Sequence, residues 1–361
     1  MANLSDSDEL ATADPQRRRV ATVHDVARAA GVTIGTVSQA LNGRGKMRPE
    51  TRERIRDVAA RLEYRPNHLM QSLLRGRSYT VGLISTDSYG RFSIPLLEGI
   101  EDALGPAEIS VFLCDARDDP ARERRHIDSL LAKRVDGIIV TGRRTDPRPP
   151  IDIGTSRIPV LYAYAQVTEG DALCLIPDDA QGGRLATEHL LGLGRRRLAH
   201  ITGPERFEAA RLRRQGMYQA LDANGVDVPA GRVLSGPWRE AWGHEAVGRL
   251  LEADNQTDGV FCGSDQIARG VADALRERGV RVPDDIAVVG FDNWDIIAAA
   301  TRPPLTTVDM RLHDLGCLAG QRLRAMIDGE RASGVVRLPC HLVVRDSCGA
   351  RARDRSDGGG S

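Results

Sequence analysis

Lysine is almost absent from this chain of 361 residues: Lys46 and Lys133 stand alone among 50 basic residues, a bias we attribute to GC-rich coding and not to function. No run approaches the ~18 consecutive apolar residues of a membrane span, which excludes an integral membrane protein of the helical kind. The opening MANLSDSDELATADPQRRRV has no apolar stretch, so no secretory signal is expected. The six cysteines (Cys114, Cys174, Cys262, Cys317, Cys340, Cys348) are scattered, with neither a CxxC nor a Cys/His spacing suited to zinc. Reduced, mostly packed thiols and a cytoplasmic location are therefore expected. There is no GxxxxGK[ST] phosphate loop and no GxSxG elbow, and neither the Thr187–Leu190 nor the His244-Glu245 fragment has a second histidine at zinc spacing. These absences argue against an enzyme, against catalytic residues or a metal, and against a bound cofactor.

At this length two or three domains are expected, and 41% apolar residues suffice for packed cores. The formal net charge of zero hides an uneven distribution. Residues 20–78 hold eleven basic residues against five acidic ones, a net +6, which suits a phosphate backbone as partner.

That basic segment contains TVHDVARAAGVTIGTVSQALN, Thr22 to Asn42. Val23, Val26, Ala27 and Ala30 recur at helical spacing on one face. Gly31 suits the positive φ of a tight turn, and Thr33 is placed to cap a second helix, Ile34 to Asn42. That helix buries Val37, Ala40 and Leu41 and turns Gly35, Gln39 and Asn42 outward. Two such helices form either a plain helical hairpin or a helix-turn-helix whose second helix enters the DNA major groove. A third helix, Pro49 to Leu62, offers the stripe Ile55, Val58, Ala59 and Leu62, and Pro66 stops it. NHLMQSLLRGRS (67–78) follows, too short to hold a helix alone and hence either a hinge that orders on DNA or a plain linker.

From Tyr79 onward, strand-like runs (80–85, 109–114, 135–140, 158–163, 197–202, 259–263 and 286–292) alternate with helical ones such as 94–104, 121–132, 182–193 and 267–278. This α/β pattern predicts parallel sheets covered on both faces, divided between two doubly wound subdomains with a ligand crevice at the strand carboxyl ends.

These segments, with DDPARERRHIDSLLAKRVDGIIV, GGRLATEHLLGLG, ITGP, GSDQIARGVADALRERGVRVPDDIAVVGFDN and RPPLTTV in this order, resemble the lactose-repressor (LacI/GalR) family over residues 20 to about 349. The resemblance implies an α/β chain with a three-helix helix-turn-helix headpiece (20–66) and a hinge helix (67–78). A two-lobed core like that of periplasmic binding proteins (79–349) then follows. Its N-lobe would comprise about 79–177 and 309–340, and its C-lobe about 178–308 and 341–349. Residues 1–19 are expected to be a disordered arm and 350–361 a flexible tail. A homodimeric transcriptional regulator, repressing through a palindromic double-stranded operator and controlled by a small sugar-like effector, is the function implied. A two-lobed sugar-binding protein without a DNA role, or a regulator that has lost effector control, is the alternative.

The resemblance places base reading at Ile34, Gly35 and Gln39. Glutamine stands where arginine is commoner, which favours adenine over guanine; Ile34 either touches a thymine methyl or packs against Leu41. Thr22, His24, Thr33, Thr36, Ser38 and Asn42 match phosphate-contacting or helix-positioning places. Arg48 replaces the usual serine cap and is placed to meet a phosphate. Leu73 matches an apolar wedge in the minor groove, or serves dimer packing. In the core, Arg213 and Asp265 are expected to face each other across the effector cleft, with Trp238 as a stacking aromatic or an ordinary core residue. The loop TDSYGRFS supplies Asp87, Ser88, Arg91 and Phe92, while Ser264 and Tyr164 depart from the usual asparagine and acid.

Overall fold

The computed structural model describes residues 21–41, 45–64, 77–227, 230–253 and 256–350. They fall into two units, divided after Gly76. The expected arm, Asn42, the hinge stretch 67–76 with Leu73, and the tail beyond 350 lie outside the described residues.

The first unit opens with α1 (Val23–Ala30), whose N-terminus is closed reciprocally. Thr22 Oγ1 accepts from the Asp25 N–H at 3.4 Å, and the Asp25 carboxylate accepts from the Thr22 N–H at 2.9 Å. A T-x-x-D sequence satisfies two orphan donors of a first turn in this way. Gly31 ends the helix at φ +66. The Thr33 hydroxyl then accepts from the Thr36 N–H at 3.2 Å and starts α2 (Ile34–Leu41). Helix α3 (Pro49–Arg61) follows Arg48, which makes no side-chain cap. Val26, Ala27, Ala30, Val37, Ala40, Ile55, Val58 and Ala59 form the core of this unit. The expected fourth member of the α3 stripe, Leu62, is 36% exposed instead. It follows the last helical residue, and Tyr64 packs against the core in its stead.

The second unit holds two six-stranded sheets. The N-terminal one is wholly parallel, built from β1 (Thr80–Ser85), β2 (Ser110–Asp115), β3 (Gly137–Thr141), β4 (Val160–Ala163), β5 (Leu173–Pro177) and β11 (Gly334–Leu338) in the order β11-β5-β4-β3-β1-β2. The C-terminal sheet comprises β6 (Leu198–Thr202), β7 (Val233–Ser235), β8 (Gly259–Cys262), β9 (Ala287–Asp292), β10 (Thr306–Asp309) and β12 (His341–Val343) in the order β12-β10-β9-β8-β6-β7. Only β12 runs antiparallel to its neighbour. Between them α4 (Ser93–Leu104), α5 (Pro120–Ala132), α6 (Asp179–Gly192), α7 (Glu208–Ala223), α8 (Glu240–Ala253), α9 (Asp265–Glu277), α10 (Asp295–Ala298) and α11 (Leu312–Ile327) complete the α/β layers. The chain passes between the lobes after β5, after β10 and after β11, three short crossings that make a natural hinge.

One packing detail governs the site. Helices α6 and α7 approach at Gly183 and Gly216: a Cβ on Gly216 would lie 1.8 Å from the Ala180 carbonyl oxygen, and one on Gly183 would lie 2.1 Å from that of Arg213. No side chain fits at either place, and this backbone proximity lets Arg213 of α7 reach Asp179 of α6. Gly216→Ala should therefore cost about 1–3 kcal/mol by overpacking. Denaturant unfolding of the core transition would check this, and an unchanged midpoint would show that the helices can separate freely.

Candidate functional site

On the first unit, α2 presents Ile34, Gly35, Ser38 and Gln39 to solvent while Val37 and Ala40 are fully buried. At about 100° per residue the four exposed positions span roughly 140° of the helix, a contiguous face. Ile34 is 41% exposed, which leaves its side chain available outside the core. Thr22, His24, Thr33 and Arg48 are exposed and Thr36 is half-buried. The Thr22 and Thr33 hydroxyls already serve as caps, so their geometry is fixed before any ligand arrives.

In the second unit the two lobes meet around Arg213, which is 3% exposed. Its Nε donates to Asp179 at 2.7 Å, Nη1 donates to the Gly263 carbonyl at 2.7 Å and lies 3.6 Å from Asp292, and its guanidinium carbon sits 3.6 Å from the centre of the Phe291 ring. Burial pushes the Asp179 carboxyl above its ordinary range while the charge of Arg213 pulls it back. Trp238, half-buried, has its ring 5.8 Å from the Arg213 guanidinium and packs with the C-lobe core. From the N-lobe, Arg91 ion-pairs with Asp292, donates to Gln266 at 2.9 Å and lies over Phe92 and Trp294. Phe92 in turn stacks on Tyr164 at 4.8 Å. Tyr164 (φ +54), Asp292 (φ +110) and Asn293 (φ +50) adopt left-handed backbone at strand carboxyl ends, where strain accompanies binding sites.

Several expectations need correction. Asp265 does not pair with Arg213. Its oxygens accept from the Thr307 hydroxyl at 2.5 Å and the Trp294 N–H at 2.7 Å, so it positions the turn that carries Trp294. Burial, reinforced by the charge of Asp292, pushes its carboxyl up to about 8. The acids on Arg213 are Asp179 and Asp292. Ser264 caps α9, its hydroxyl accepting from the Ile267 N–H at 3.3 Å. Asp87 likewise caps α4, accepting from the N–H groups of Phe92 at 2.7 Å and Ser93 at 3.0 Å. Ser88 points outward to Asp115 at 3.1 Å. The site thus brings together Arg91, Phe92, Tyr164, Arg213 and Trp238. To these it adds Asp179, Gln266, Asp292 and Trp294, which sequence reasoning passed over. Asp292 closes the strand run 286–292, and the rule that ligands meet strand carboxyl ends could have nominated it.

A cavity of about 230 Å³ opens elsewhere in the N-lobe, between Ala116, Gly142 and Ala165. Its charged walls are already paired, Arg148 with Glu123 and Arg143 with Asp118. Among the described residues no helix is long and apolar enough to cross a membrane.

An exposed helix-turn-helix face and a two-lobed binding core define a chain that joins DNA reading to ligand sensing. The family model described as bacterial regulatory proteins, lacI family, matches residues 22–67, and that of the periplasmic binding protein-like domain matches 187–348. Catabolite control protein A of Priestia megaterium is 30% identical over 90% of this chain and 98% of its own length. The ribose operon repressor of Escherichia coli K12 is 33% identical over 83% of this chain and 91% of its own. Among solved structures, the lac repressor dimer bound to operator and the anti-inducer ONPF matches with a TM-score of 0.73 at 27% identity, covering 91% of this chain and 99% of that one. The transcriptional regulator CelR–cellobiose complex gives a TM-score of 0.64 at 30% identity, with coverage of 91% and 99%. The chain belongs to the lacI family of bacterial transcriptional regulators.

The Asp265 geometry carries a pH signature. A folded carboxyl that keeps its proton to about pH 8, against an ordinary value of 3.8, binds more protons than the unfolded chain in between. Stability from this group therefore falls as pH rises through that window. Asp265→Asn keeps the acceptor for Trp294 and removes the titration. Its stability should fall less steeply than that of the wild type between pH 4 and pH 8 in denaturant unfolding, and parallel curves would refute the assignment.

Proposed function

We propose that this chain is a cytoplasmic repressor that binds a palindromic operator as a homodimer and is switched by a small, hydroxyl-rich, sugar-like effector held between the lobes. The observation that carries the reading is the pairing, in one chain, of an exposed α2 face on a basic headpiece with a cleft of acids, arginines and aromatic faces. Gln39 reads adenine, with Ile34 and Gly35 beside it. Thr22, His24, Thr33, Thr36, Ser38, Asn42 and Arg48 meet phosphates or set the helix, and Leu73 enters the minor groove. Arg213, Asp292, Gln266, Trp238, Phe92 and Tyr164 surround the effector, which needs no cofactor and undergoes no chemistry. Asp292 takes the acidic role first expected of Asp265.

A two-fold dimer fits two half-sites of matching symmetry. Edge strand β2 supports it by exposing Phe112 (46%) and Leu113 (44%), with Ile94 (45%) on the neighbouring α4. An uncovered apolar edge of this kind is a pairing surface.

The test is selection of bound fragments from the source genome by the purified protein, followed by salt titration of the winner. A palindrome with a steep salt slope is expected. Gln39→Ala should lower affinity for that palindrome by about 10- to 100-fold per half-site while leaving random-sequence binding and the salt slope unchanged. Equal losses on both DNAs would show that α2 does not read bases.

A further inference from the structure

Two arginines converge on Asp292, and they are held differently. Arg213 belongs to the same lobe as Asp292; its side chain is 4% exposed, and its Nε and Nη1 both have oxygen partners. Arg91 comes from the opposite lobe, in the loop between β1 and α4, and its side chain is 13% exposed. One end of its guanidinium meets Asp292, the other donates to Gln266 at 2.9 Å, and its carbon lies 4.9 Å from the Phe92 ring centre and 4.7 Å from that of Trp294. Its Nε, although buried, has no hydrogen-bond partner among the described residues. A carboxylate, an amide and aromatic faces around one planar polar group are what a small ligand would receive. An unpaired buried donor marks a seat that fits its occupant incompletely.

We propose that Arg91 is the resident occupant of the cleft: its guanidinium fills the acidic end of the effector site and ties the lobes together, and an effector reaches Asp292 only by displacing it. The inference rests on reading this cleft as the effector site. It adds a chemical constraint to that reading. Asp179 and Asp292 are matched in charge by Arg213 and Arg91, so a group replacing Arg91 must donate hydrogen bonds to a carboxylate. Hydroxyls and cationic nitrogen satisfy Asp292 there, whereas a phosphate or carboxylate at that end meets like charge. Arg91 is thereby a specificity-determining residue as well as a tether between the lobes. Ligand affinity is lowered by the free energy of unseating it, and a chain without it loses that competition.

Chemical complementation tests this without effector or operator, so it can fail while the regulator reading stands. In the full-length protein, Arg91→Ala should lower the melting temperature and enlarge the radius of gyration in small-angle scattering as the lobes part. Methylguanidinium at low millimolar concentration should restore both, binding Arg91→Ala at least about tenfold more tightly than the wild type. Methylammonium at equal ionic strength should not match it, and Arg91→Ala with Asp292→Asn should not respond. Arg91→Met, which keeps the apolar stem, serves if the alanine variant folds poorly. Unchanged melting and scattering in a folded Arg91 variant would overturn the proposal. So would equal rescue by the two cations, or rescue that survives loss of Asp292.

Discussion

A buried arginine organises the core of this protein. With Arg213 only 3% exposed, its charge has little water to solvate it, and leaving a buried guanidinium unmatched would cost more free energy than a marginally stable fold can bear. Everything near it is arranged to prevent that. Asp179 is the first side chain of α6 and the Gly263 carbonyl follows β8, while the ring of Phe291 lies beneath the guanidinium plane. The close α6–α7 approach at Gly183 and Gly216 brings donor and acceptor within reach. Such a network adds little net stability over an apolar replacement, but it fixes geometry, because each partner left alone is costly.

What the network fixes is the floor of a cleft whose roof comes from the other lobe. The lobes share three short crossings, so their relative position is set by contacts across the cleft as much as by the connections. Those contacts include Arg91 on Asp292 and Gln266, and, on another flank, the Glu208 N–H on Asp146 at 2.8 Å. A ligand that binds one arrangement better than another shifts the population by its differential affinity and no more. Any coupling to DNA must then be reciprocal, operator changing effector affinity by the same factor.

The parts of this design that were legible in the sequence are those with a period or a local cap. The headpiece helices follow from Val26, Ala27, Ala30, Val37 and Ala40, and seven strand runs from their unbroken apolar character. Strands β7, β10 and β12 were missed because each has only three or four residues, and β11 because Val335 and Val336 lie exposed on an edge; β5 (Leu173–Pro177), five residues long and fully buried, was missed as well. For the candidate site, the resemblance nominated Arg213 and Phe92 but not Asp179 and Asp292, the acids that Arg213 meets in the structure. Three aspartates, Asp179, Asp265 and Asp292, lie within this one region, and which of them meets an arginine is decided by helix packing and by the φ of +110 at Asp292. Neither is written in spacing. Ser264 also has a local use that sequence could have shown, since it directly precedes α9 and accepts from its Ile267 N–H, whereas Asp87 reaches the Phe92 and Ser93 N–H groups from five and six residues away, which no cap spacing announces.

The same economy of caps bears on the headpiece. Among the described residues its buried core is eight side chains, four of them alanine and three valine, so little apolar surface is buried there and each capping interaction of ~1 kcal/mol is a large share of its stability. Thr22 and Thr33 supply caps to α1 and α2, whereas Arg48 supplies none to α3. A guanidinium there gives up a side-chain cap and leaves a positive charge at the position proposed to meet a phosphate. The hydroxyls that set α1 and α2 are among the same groups proposed to meet the backbone, so substitutions there would change folding and DNA affinity together. Gln39, exposed and in no cap among the described residues, is the position where the proposed base reading can be separated from stability.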